Sequence, residues 1–108
     1  MAILDFKALL AEAEKAPALE LKGLKGETIK LRRFENLPGA DFKSVLKYID
    51  IIQSEKVSEE GKIDAMDKCL VAAADKKDGL RDALDKLPMS ARNQVFTAWM
   101  EEGEAGNS

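Results

Sequence analysis

Two short runs in the first third of the chain alternate apolar and polar residues with a period of two. Leu19 and Leu21 alternate with Glu20 and Lys22, and Ile29 and Leu31 alternate with Lys30 and Arg32. A period of two belongs to a strand with one buried face. The glycine-spaced stretch Gly23-Leu24-Lys25-Gly26 between the runs reads as the turn of a β-hairpin over about residues 18–34. A two-stranded hairpin is marginal in water by itself. It must therefore pack on helices or pair with another chain, and that requirement governs everything around it.

The remainder of the chain has the helical period. Ile3, Phe6, Leu9, Leu10 and Ala13 fall at i, i+3, i+4 spacing and predict a first helix over residues 3–15, ended by Pro17. That helix reads as docked on the protein's own core, with a partner-binding arm as the other reading. After the turn cluster Asn36-Leu37-Pro38-Gly39, a helix capped by Asp41 carries Phe42, Val45, Leu46, Ile49 and Ile52 on one face. Tyr48 and Ile51 lie off that stripe. Extra apolar positions suit a helix at the centre of a bundle or one that meets a second protein.

Ser58, followed by Glu59 and Glu60, caps the next helix and complements its dipole. A shorter helix follows through Leu80, Ala83, Leu84 and Leu87, closed by Pro88. Ser90 caps the last helix, with Ala91, Val95, Phe96, Trp99 and Met100 as its apolar positions. The expected architecture is mainly α (α+β): a compact bundle of about five helices with one β-hairpin in the N-terminal half. It forms a single domain over residues 1–100, followed by a flexible acidic tail over 101–108.

Composition removes several function classes. The chain has 108 residues, no histidine and one cysteine. That leaves no Ser-His or Cys-His nucleophilic pair, no histidine metal ligand and no internal disulfide. No Gly-rich phosphate loop or EF-hand spacing is present, so neither an enzyme nor a cofactor is expected. The net charge of −3 argues against non-specific nucleic-acid binding. No apolar run approaches the roughly 20 residues of a membrane span, and the first residues lack the basic region of a signal peptide. A soluble, cytoplasmic protein is the expectation.

What remains is recognition through surfaces. Lys30, Arg32 and Arg33 make the hairpin locally basic, as a solvated face or as a dock for an acidic partner. Trp99 and Met100 are either the inward closure of the last helix or an exposed aromatic anchor of the kind enriched at interface hot spots; Phe96 reads as core. An apolar groove for an amphipathic helix needs anchors at helical spacing. Its candidate lining is Tyr48, Ile51 and Ile52 with Phe96, Trp99 and Met100.

The succession of LELKG and TIKLRR, then RRFENLPGADFKSVLKYID, then a helical remainder ending in VFTAWMEEGE, resembles the tail assembly chaperones of long-tailed, siphophage-type bacteriophages. The resemblance covers about residues 15–104, and its most familiar parts are Leu37-Pro38 after the hairpin and the closing Val95-Phe96-Thr97-Ala98-Trp99. It implies a non-enzymatic protein that binds the tape measure protein, keeps it soluble, recruits tail tube subunits and self-associates into a homo-oligomer. It also implies a place in the cytoplasm of the infected host and absence from the mature virion. In many such phages a translational frameshift near the gene's end adds a longer product. The alternatives are a head–tail connector or tail-completion protein, and a small DNA-binding regulator using Lys30, Arg32 and Arg33.

Overall fold

The hairpin is present and finds the cover it needs. In the computed structural model, which describes residues 3–14, 17–24 and 27–105, strand β1 (Leu19–Leu24) pairs antiparallel with β2 (Glu27–Leu31). Leu19 faces Leu31 and Leu21 faces Ile29, so one face is wholly apolar; Glu20 opposes Lys30 on the other. The register slips between Leu21 and Leu24. Of the expected turn, Lys25 and Gly26 lie outside the described residues.

Five helices complete the fold: α1 (Phe6–Glu14), α2 (Gly39–Gln53), α3 (Glu59–Ala73), α4 (Lys77–Lys86) and α5 (Met89–Ala105). A 3-10 turn, Phe34–Asn36, precedes α2. The protein is thus mainly α with a small β-hairpin. Ile29 and Leu31 share one buried cluster with Cys69, Leu70, Ala73, Leu80, Leu84 and Trp99.

The run Ala72-Ala73-Ala74 explains how sheet and helix come together. Small side chains let the backbone after α3 lie directly against β2. Arg32 N–H donates to Ala73 O at 2.9 Å, and Asp75 N–H donates to Lys30 O at 2.9 Å. Ala74 forms an antiparallel bridge with Leu31. β2 therefore has a neighbour on each side, which relieves one of the open edges of an isolated hairpin.

Helix starts follow the sequence in one case and depart from it in two. Ser58 caps α3, its Oγ accepting from Gly61 N–H at 3.1 Å. Helix α2 begins two residues before Asp41, with Phe42 N–H donating to Pro38 O at 2.9 Å. Helix α5 begins at Met89, ahead of Ser90, and Arg92 N–H donates to Pro88 O at 2.9 Å. A proline just before the first turn loses no intrahelical donor there, and no side chain caps the start of α2. At the other end α5 runs on to Ala105. Residues 101–105, expected in a flexible tail, are helical, and 106–108 lie outside the described residues.

Candidate functional site

The feature that stands out is a helix whose described apolar residues Phe6 and Leu9, with Ile3 before it, stand in solvent. Asp5 opens α1, its Oδ1 accepting from Lys7 N–H at 3.3 Å and its carbonyl from Leu9 N–H at 3.0 Å. Phe6 is 83% exposed, Ile3 84% and Leu9 48%. None of these residues joins the buried cluster or packs against it. Ile3, Phe6 and Leu9 thus do not fit the reading of this helix as docked on its own core, and the side chains of Leu10 and Ala13 lie outside the described ones. The buried cluster is built instead from the hairpin, α2, α3, α4 and α5.

A second apolar stripe is exposed on α2. That helix packs chiefly on α3, and Val45 is its one fully buried residue. The expected core face is rotated: Phe42 and Leu46 point outward at 37% and 51% exposure. Ile49, Ile52 and Tyr48 are half-buried against the core. A central α2 is thereby corrected, because a helix covered from one side buries only one narrow arc. Lys43 and Lys47 border the exposed stripe, both exposed and without an ion-pair partner among the described residues.

The residues singled out from sequence separate into different places. Tyr48 is half-buried, with Lys68 Nζ at 5.8 Å from its ring; Ile51 and Ile52 are also half-buried. Phe96 and Met100 are half-buried on α5. Helix α5 lies on β1 and the 3-10 turn, so the principal packing does not join the α2 and α5 residues in one groove. Between α2, α3 and α4 there is instead an open cavity of about 590 Å³, lined by groups such as Asp41, Tyr48, Asp64, Lys68 and Lys77. Two ion pairs form among its lining groups, Lys68 to Asp64 at 3.0 Å and Lys77 to Asp41 at 3.5 Å.

Trp99 is fully buried, which decides between its two readings in favour of the core. Its Nε1–H donates to Arg32 O at 2.9 Å. Its ring meets Phe34 edge-on, with centroids 4.8 Å apart at 78°, and Phe96 at 6.0 Å. An indole is buried cheaply only when its N–H finds an acceptor, and the backbone leaving β2 supplies one.

The basic hairpin residues are drawn into the same joint. The Arg32 guanidinium donates to Ala74 O at 3.3 Å, and that of Arg33 to Glu102 O at 2.7 Å. Lys30 remains exposed. Two of the three cations thus serve to fasten helix ends to the hairpin, as cations near helix C-termini do.

Sequence reasoning missed Arg92. It is buried on α5, with Nε donating to Asp67 Oδ1 at 2.7 Å and Nη1 to Leu87 O at 3.2 Å. Nη2 donates to Leu84 O. One guanidinium thereby holds α3, the end of α4 and α5 together. The signal was its register: Arg92 precedes Val95, Phe96 and Trp99 by three, four and seven residues, which puts it on the apolar stripe.

The single thiol is part of the core. Cys69 is completely buried, and desolvation pushes its pKa up to about 12. A thiol held protonated is a poor nucleophile. Labelling of Cys69 by a thiol reagent is expected to follow global unfolding, rising with denaturant in step with loss of helix. Rapid labelling of the native protein would contradict this burial. Among the described residues no cluster of carboxylates and cysteine is gathered to hold a metal ion, and no helix is long and apolar enough to cross a membrane.

No protein family, curated protein or solved structure matches this chain.

Proposed function

We propose that this protein is a tail assembly chaperone of a long-tailed bacteriophage. It binds the tape measure protein, keeps that protein's apolar stripes from aggregating and recruits tail tube subunits around it. The observation that supports this reading is the pair of exposed apolar stripes, on α1 and on α2, carried by an otherwise well-closed helical domain. Exposed stripes at helical spacing are what a protein that handles amphipathic helices must present. The client helix is placed on the α2 stripe of Phe42 and Leu46, beside the half-buried Tyr48 and Ile52. The protein performs no chemistry of its own and acts in the host cytoplasm.

The engagement of Arg32 and Arg33 by backbone carbonyls argues against a phosphate-binding hairpin, and so against the DNA-binding alternative. A head–tail connector or tail-completion protein is separated by where the chain ends up. Infected-cell lysates and purified virions, compared by quantitative mass spectrometry, are expected to contain this chain in the lysate and to lack it in the virion. Recovery in finished particles at a fixed stoichiometry would overturn the chaperone reading in favour of the connector.

A further inference from the structure

Three exposed charges stand beside the α2 stripe, and none of them serves its own helix. Lys43, Lys47 and Asp50 are exposed, and none has an ion-pair partner among the described residues. Lys43 and Lys47 are four residues apart, a like-charge spacing that disfavours a helix. Asp50 lies in the last turn of α2, where an acid opposes the helix dipole. All three border Phe42 and Leu46: each lysine directly follows one of these apolar residues, and Asp50 follows Leu46 by four. The remaining charge of α2, Asp41, is engaged elsewhere, with Lys77 of α4 at 3.5 Å.

We propose that the helix received on this face is an amphipathic one whose apolar stripe is bordered by two acids one turn apart and then by a base. Phe42 and Leu46 give the apolar contact, Lys43 and Lys47 take the two carboxylates, and Asp50 takes the base. A stripe bordered by bases meets like charge at both lysines and is rejected. The change of sign along α2 also gives the contact a direction. A helix stabilised by its own dipole carries acids toward its N-terminus and bases toward its C-terminus. To meet the lysines first and Asp50 last, such a helix lies parallel to α2. The inference names the chemistry of the partner and rests on the reading of the α2 face as the client site.

Fluorescence anisotropy with the full chain and three synthetic helical peptides tests it. The peptides share one apolar stripe and carry Glu, Glu and Lys, or three Lys, or three Gln at the bordering positions. The Glu-Glu-Lys peptide is expected to bind about tenfold more tightly than the Gln peptide, and the Lys peptide more weakly than either. These differences shrink with added salt. The net charge of −3 by itself favours the Lys peptide, so the order of affinities separates the local pattern from the overall charge. In the Lys43→Glu, Lys47→Glu double variant the order is expected to invert. A spin label on the N-terminus of the Glu-Glu-Lys peptide should broaden amide signals near Gly39, and broadening near Gln53 instead would overturn the parallel direction. Equal binding of all three peptides, lost in Leu46→Asp, overturns the charge pattern and leaves the α2 face as the client site. Tightest binding of the Lys peptide overturns the pattern too. Binding of none of them overturns both the pattern and the placement of the client on α2.

Discussion

Trp99→Ala is expected to be among the most destabilising single changes in this protein, at about 3–5 kcal/mol. The side chain is fully buried and packs edge-on against Phe34. Its loss leaves a cavity where α5 meets the hairpin, and leaves Arg32 O without the indole donor it now accepts from at 2.9 Å. Against the roughly 5–15 kcal/mol that holds a typical domain, that is a large share. Trp99→Phe keeps most of the ring and loses the donor, so its cost should be nearer 1–3 kcal/mol. Urea unfolding followed by circular dichroism reads both, since the fluorophore itself is removed. A cost under about 1 kcal/mol for the alanine variant would mean the ring does not sit in the core.

Arg92→Ala comes next, at about 3–5 kcal/mol. The change strips Asp67 of its partner at 2.7 Å and removes donors from Leu84 O and Leu87 O. Burial raises the Asp67 pKa above its ordinary value, opposed by the hydrogen bond and charge of Arg92. A carboxyl raised on folding contributes stability that is present below its unfolded pKa and lost as pH rises through the folded one. Acidification into the carboxylate range therefore does not itself work against Asp67 in the fold. Without Arg92 the two lowering influences vanish and the Asp67 pKa rises further. The deficit of Arg92→Ala relative to wild type should consequently shrink as the pH is lowered from neutral. A deficit that grows on acidification would show that the clasp is not organised around Asp67.

The hairpin and the five helices were legible because their periods differ so plainly. Leu19, Leu21, Ile29 and Leu31 alternate, while every segment after Pro38 repeats at three and four residues. The cap at Ser58 was legible too, since a hydroxyl followed by two acids has a local mechanism. What escaped was tertiary. Helical spacing marks Phe6 and Phe42 as apolar-face residues, but it does not say whether another element arrives to cover that face. The same limit hid the roles of Arg32, Arg33 and Arg92, each of which has a partner 25 to 69 residues away in the chain. Trp99 stood between two readings for this reason: its acceptor is a carbonyl 67 residues earlier, which no local pattern announces.

These placements alter where partner binding is sought. Trp99, Arg32 and Arg33 fasten α5 and the end of α3 to the hairpin, so changing them tests stability first. The exposed apolar residues among the described ones include Phe6 and Leu9 of α1 and Phe42 and Leu46 of α2, which can be changed without touching the buried cluster.

The measurement that tests the proposed chaperone reading most directly is co-expression of this chain with a tape measure protein encoded in the same genome, reading the soluble fraction of the latter. The wild-type chain is expected to keep the tape measure protein in solution and to co-purify with it, and the Phe42→Asp, Leu46→Asp double variant to fold normally yet leave it in the pellet. A tape measure protein that stays insoluble beside abundant, folded wild-type chain would contradict the account.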